Sequence, residues 1–148
     1  MTILEIFSII IATVIGMECI AWSSHKFLMH GPLWFIHKTH HAPRHGRFEL
    51  NDVFGIVFGL VSIISIVLGI DGFTPLFWIG IGISVYGVLY FFAHDIIVHR
   101  RVKLGIRMKG RYAEALRKAH LLHHKTVTKD GAEEFGFLFV HPKHLNQQ

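Results

Sequence analysis

A chain of 148 residues has room for one domain, and with 51% of its residues hydrophobic it lies outside the soluble globular norm. Its net charge of +5 does not point to nucleic acid, because no basic segment is interleaved with aromatics on a polar face. Cys19 is the only cysteine and sits in an apolar run, so no intrachain disulfide and no cysteine-based zinc or iron–sulfur site can form, and it reads as a small buried apolar residue.

In chain order, three stretches are almost free of charge. Ile6 to Ser24 contains only Glu18, while Val53 to Ile70 and Phe73 to Ala93 contain none. Each approaches the ~20 apolar residues that cross a hydrocarbon core of about 30 Å, so spans are expected at 6–24, 53–70 and 73–93 of a single membrane-embedded domain, 1–148. The start, Met1 to Glu5, lacks the basic region of a signal peptide, so the first span is expected to be retained. Asn51 and Asp52 are placed to cap the second span. Asp71-Gly72 followed by Thr74-Pro75 predicts a tight turn, which makes spans two and three an antiparallel hairpin. A further helix outside the membrane is expected within Lys103–Lys129, where charge is mixed with spaced apolar residues. Phe135 to Val140 is too short to span and is expected at the interface or over the site.

All fifteen Lys and Arg residues fall within 26–47 or 100–143. Under the positive-inside rule this predicts three passes, with 25–52 and 94–148 in the cytoplasm and the 71–75 turn outside. All thirteen histidines lie in those same two segments. The predicted fold is therefore all-α: an integral membrane helical bundle with a cytoplasmic histidine-rich cap for two metals.

Ten histidines form four boxes: His25 with His30; His37, His40 and His41; His94 with His99; and His120, His123 and His124. The order, pair then triad, repeats. In each triad the offsets i, i+3 and i+4 put the three rings on one helical face, where they can converge on a metal. The pairs at i, i+5 are about 140° apart on a regular α-helix. A π-bulge, a helix end at Gly31-Pro32, or ligation of different metals would reconcile them. A single such triad is as readily a polar helix face, but four boxes on one membrane face are not. Imidazole suits iron, zinc, copper or nickel, and ten rings exceed one ion, so two ions with about five rings each is the simplest allocation.

Ionisable groups near the boxes are candidates to orient the ligands: Glu18, which is costly inside a span, together with Asp52, Asp95 and Glu49. Asp95 is four residues from His99, and Glu18 is seven before His25 on nearly the same face. His45, His141 and His144 match no box and read as surface residues. A membrane haem protein or a metal transporter would need ligands facing each other across the bundle or near the bilayer midplane, which ten histidines at one face do not supply.

The boxes and their flanks resemble the bacterial β-carotene 3-hydroxylases, within the superfamily of membrane fatty-acid hydroxylases and sterol desaturases. The flanks are Gly16-Met17-Glu18, Pro43-Arg44 with Phe48 to Asp52, His94 to Arg101, and Phe135 to Leu138. The likeness runs from about residue 14 to 140, and the third box departs from it only at Ile96 and Ile97. It implies two non-haem iron ions on the ten histidines, O2 as co-substrate, and hydroxylation at C3 of the β-ionone rings of β-carotene, giving β-cryptoxanthin and then zeaxanthin. It implies a bacterial inner membrane with the active site on the cytoplasmic face, and a carotenoid substrate taken from the bilayer. The same boxes would serve a hydroxylase or desaturase of acyl lipids or sterols. The chain has no Gly-rich dinucleotide fingerprint and no cysteine cluster, so electrons must come from an external donor. A ferredoxin with its reductase fits the basic face, which would also meet membrane lipids; nucleic acid is not an expected partner.

Overall fold

The computed structural model describes residues 1–43, 46, 48–102 and 109–145. Among them there is no strand, and three helical stretches are long and apolar enough to cross a membrane: Ile3–Met29, Asp52–Gly69 and Pro75–Val98. The elements are α1 (Ile3–Ser23), α2 (Trp34–His41), α3 (Asp52–Gly69), α4 (Pro75–Tyr90) and α5 (Arg111–His124). A π-helical turn extends α1 through Ser24–Met29, and another extends α4 through Phe91–Val98.

The first span starts earlier than charge-free length suggests because Thr2 and Glu5 form a reciprocal capping box, with Glu5 N donating to Thr2 Oγ1 at 3.3 Å and Thr2 N to Glu5 Oε2 at 2.8 Å. The third starts at Pro75, whose fixed φ and missing N–H suit the first helical position. The turn before it carries Gly72 at φ 73° and Phe73 at φ 48°, and folds α3 and α4 into the expected hairpin. Both spans bearing a histidine pair outrun the expected ends, 24 and 93, because the π-turns continue the helix.

Small residues set the helix spacing. A Cβ on Gly80 would meet the Ser62 carbonyl oxygen at 2.9 Å, and one on Gly82 would meet the Thr13 side chain at 2.6 Å. The core consists of Met17, Ala21, Ile83, Tyr86 and Phe137. Around it, Ile11, Ile56, Leu60, Ile63 and Leu68 stay exposed, a surface that a bilayer covers and water would not. This chain is a membrane protein. Cys19 is exposed on α1, so the expectation of a buried cysteine is corrected: it lies on the outer surface of the bundle.

The helix expected within 103–129 is α5, preceded by Gly110 at φ 133°. Residues 103–108, on which part of that expectation fell, lie outside the described residues, as does His45. The 135–140 segment has no regular structure and crosses the end of α1, with Phe137 buried.

Candidate metal centre

The two histidine pairs sit on the two π-turns. His30 N donates to His25 O at 3.0 Å, and His99 N donates to His94 O at 2.8 Å, so residues five apart are stacked on one face. Of the three ways to reconcile the i, i+5 spacing, the structure uses the π-bulge, twice.

Ligand-capable nitrogens gather into two groups, each with atoms within 4.8 Å of one another. The first holds His25, His30, His37, His41 and His123; the second holds His40, His94, His99 and His120. His124 joins the second, its Nε2 lying 2.8 Å from that of His120 and 3.1 Å from that of His40. The expectation that each triad converges on a single metal is thereby corrected. In each triad the i and i+4 rings stay together, while the i+3 ring, His40 or His123, crosses to the other group. The two groups match in origin: one π-turn pair, the i and i+4 rings of one triad, and the i+3 ring of the other.

Seven of the rings donate Nδ1–H to an oxygen. The acceptors are Phe135 O for His25 (3.0 Å), Lys129 O for His30 (2.9 Å), Asn51 Oδ1 for His37 (2.7 Å), Thr126 O for His41 (2.9 Å) and Glu133 O for His123 (2.8 Å). Glu49 Oε2 accepts from His40 (3.0 Å) and Asp95 Oδ1 from His94 (3.3 Å). These oxygens can only accept, so the proton is on Nδ1 and the Nε2 lone pair is free. Nε2 atoms of these rings then face one another at 3.0 to 3.2 Å, as in His25 with His37 and His30 with His123. Facing lone pairs repel, and a shared cation is their electrostatic complement. The donor set fits a metal with nitrogen preference, and it fits two of them.

Burial keeps the imidazoles of His37, His41, His123 and His124 neutral. Loss of hydration, reinforced by neighbouring rings, holds His37 at about 3, His124 at about 2 and His41 at about 4, and burial holds His123 at about 3. An unfolded chain would take up these protons near pH 6.5, so the stability held by neutral rings is complete above that pH and is lost as pH falls toward the folded values. Metal-free protein in detergent should therefore show a falling unfolding temperature from about pH 6.5 to about pH 4. An unfolding temperature that stayed level or rose over that interval would contradict neutral, buried rings.

The carboxylates differ in part from expectation. Glu18 touches His25 only indirectly: its Oε1 accepts from the backbone N–H of Phe137, Leu138 and Phe139, and its Oε2 from the Tyr86 hydroxyl. The segment so held supplies the Phe135 carbonyl to His25 and stacks Phe137 on that ring at 4.9 Å. Asp95 pairs with His94, its chain neighbour, where its spacing had suggested His99. Asp52 holds Arg101 through both oxygens (2.8 and 2.9 Å), and Arg101 reaches Asp95 at 3.1 Å. Asn51 starts α3, but its side chain makes no cap hydrogen bond and holds His37 instead. Of the unmatched histidines, His141 is exposed. His144 corrects the surface reading: it is buried, with Nε2 2.9 Å from Glu134 Oε1.

Asn51 and the carbonyls of Thr126, Lys129, Glu133 and Phe135 were not foreseen as ring acceptors. Backbone carbonyls leave no residue-type signal, and only loop geometry reveals them. Glu134 sits at φ 59°, a left-handed conformation that lets the carbonyls on either side of it, of Glu133 and Phe135, reach His123 and His25.

A cavity of about 690 Å³ opens between α1, α3 and α4 and ends on the histidines, with His25 and His37 of one group and His40 and His94 of the other in its wall. Its lining is mostly apolar. Gly55, Gly59 and Gly87 line it, and a Cβ on any of the three would meet nothing within 4 Å.

The fatty acid hydroxylase family model matches residues 10–144. A β-carotene hydroxylase from Pantoea ananas is 46% identical over 134 residues, 90% of this chain and 77% of that protein. One from Pseudescherichia vulneris is 46% identical over 132 residues, 89% and 75% of the two chains. One from a Paracoccus strain is 39% identical over 137 residues, 92% and 85%. No solved structure matches the chain. With ten buried or half-buried histidines in two groups beneath an apolar cavity, and with likeness over nine-tenths of its length, this chain belongs to the fatty acid hydroxylase family, alongside the bacterial β-carotene hydroxylases.

Proposed function

We propose that the chain hydroxylates C3 of β-ionone rings, carrying β-carotene to β-cryptoxanthin and then to zeaxanthin, with two non-haem iron ions held by the ten box histidines. The observation that carries this reading is the apolar cavity ending on both histidine groups. A carotene is confined to the bilayer, and a cavity between spans admits its ring laterally. The volume lies in the range of ordinary ligand sites. Three glycines with no packing neighbour in that wall support a bulky, rigid guest. Iron bound on the histidines would supply O2 activation, which redox-inert zinc could not. The balance is RH + O2 + 2 electrons + 2 protons giving ROH + H2O. The protein's own part is to hold neutral rings through Nδ1, to leave the cavity side of each group open, and to keep water out with Phe137 and Tyr90, which stacks on His94 at 4.7 Å.

The decisive experiment is expression in cells that accumulate β-carotene and supply a ferredoxin system, followed by pigment chromatography. Zeaxanthin is the expected product. Unchanged carotene beside newly hydroxylated or desaturated lipid would move the assignment to acyl chains or sterols. Filling the cavity with Gly87→Leu should cut ring hydroxylation by about tenfold or more, a cost of about 1.4 kcal/mol in positioning, while the protein still folds because the new side chain enters open space. Unaltered hydroxylation in this variant would place the substrate elsewhere.

We further propose three passes with the histidine cap in the cytoplasm, supported by the confinement of every Lys and Arg to two segments. In a Cys19→Ser background, Gly72→Cys should react with an impermeant thiol reagent from outside intact cells. Reaction only after the membrane is breached would invert the topology.

A further inference from the structure

The two histidine groups have unlike surroundings. All five rings of the first donate Nδ1–H to neutral oxygens, four backbone carbonyls and the Asn51 amide. In the second, His40 and His94 donate to carboxylates, Glu49 and Asp95. A carboxylate partner makes an imidazole more basic and its metal more electron-rich. An ion held by the first group would therefore be the easier one to reduce.

That group also has an aromatic route to the surface. The Trp34 ring lies 5.0 Å from His30, 5.2 Å from His41 and 5.9 Å from His37. It is half-buried at the start of α2 and lines no part of the substrate cavity. His25 and His37 face the cavity, whereas His30 and His41 face the 125–130 segment, whose Lys129 and Thr126 carbonyls they bond. Exposed lysines surround this side: Lys38 one turn from Trp34 on α2, and Lys125 and Lys129 on the segment itself, with Asp130 as the acid among them.

We propose that the surface centred on Trp34 docks an acidic one-electron carrier protein, and that the Trp34 ring conducts each electron to the ion held by His25, His30, His37, His41 and His123. This rests on the di-iron reading above. Each delivery oxidises the carrier by one electron and reduces the ion by one, Trp34 ending unchanged, and two deliveries match the two electrons consumed per O2. Positive charge attracts the carrier, and an aromatic at the centre of the patch has the character of an interface hot spot. Substrate and electrons thus arrive on different sides of one group.

The test uses the full iron-loaded chain in lipid nanodiscs with a reduced [2Fe–2S] ferredoxin as probe. Trp34→Leu should slow ferredoxin-driven reduction by about tenfold or more, Trp34→Phe should restore most of the rate, and both should keep wild-type iron content and wild-type reduction by dithionite with methyl viologen. The charge reversal K38E with K125E should raise the Kd for ferredoxin by about tenfold at low salt, an effect that fades as salt rises. The proposal is overturned if Trp34→Leu slows both reductants alike or loses iron. It is equally overturned if the charge reversal leaves the Kd unchanged, or alters only the preference for anionic over zwitterionic nanodiscs. Hydroxylation driven by the chemical reductant in the unaltered chain reports on the hydroxylase reading alone, so the two failures are distinguishable.

Discussion

With iron bound in both groups as proposed, alanine at His37, His41 or His123 is expected to empty the first group, leave the second loaded, and lower turnover by more than about a hundredfold. Loss of an outer partner of a metal ligand already costs about 10- to 100-fold, and loss of the ligand itself costs more. His37 and His123 are fully buried, with Nδ1 committed to Asn51 and to the Glu133 carbonyl, so no neighbouring ring can rotate to replace either. Alanine at His120 or His124 should do the same to the second group, since their Nε2 atoms lie 2.8 Å apart within it. His141→Ala, on an exposed residue, should stay within about twofold of normal. Elemental analysis and Mössbauer spectra of iron-57-loaded protein read the two positions separately. Full activity in His37→Ala, or loss of the second group's iron in that variant with the first retained, would break the sorting of the ten rings.

How much of this the sequence discloses depends on the range over which each feature is encoded. The spans are legible from local hydropathy, and Pro75, Gly72 and the Thr2 to Glu5 box account for their ends. The four boxes are legible because ligand spacing is local too. The split of each triad was also within reach. At 100° per residue, i+4 lies about 40° from i whereas i+3 lies about 60° away on the other side, so i and i+4 share a metal more readily than all three do. The π-turns could be named only as one of several options, since nothing in Ser24–Met29 or Phe91–Val98 marks a widened turn. His144 was illegible because its burial depends on Glu134, in a segment with no periodic pattern. The likeness at Phe135 to Leu138 marked that segment as special without saying what holds it.

What holds it is Glu18, 119 residues away from Phe137 in the chain. One buried carboxylate takes three backbone N–H groups at 2.9, 2.9 and 3.0 Å and the Tyr86 hydroxyl at 2.8 Å. A charge inside a span persists only where it is so fully bonded. Glu18→Ala would leave those donors without an acceptor, at ~1–3 kcal/mol each, which is several kcal/mol in sum. The helices keep their own contacts, so the loss should fall on the 135–139 segment, which would lift from the end of α1. With it would go the Phe135 carbonyl from His25 and the Phe137 ring stacked on that imidazole. Turnover should drop by about a hundredfold or more, with iron leaving the first group preferentially. Glu18→Gln keeps one oxygen for the three N–H groups and turns its amide toward Tyr86, whose hydroxyl can accept, so it should lose about tenfold or less. Amide hydrogen exchange at residues 137–139 distinguishes the two variants directly. Wild-type protection and iron content in Glu18→Ala would mean that packing alone seats the segment, whereas equal loss in both variants would mean that the negative charge, and not the geometry of its acceptors, is what the site requires.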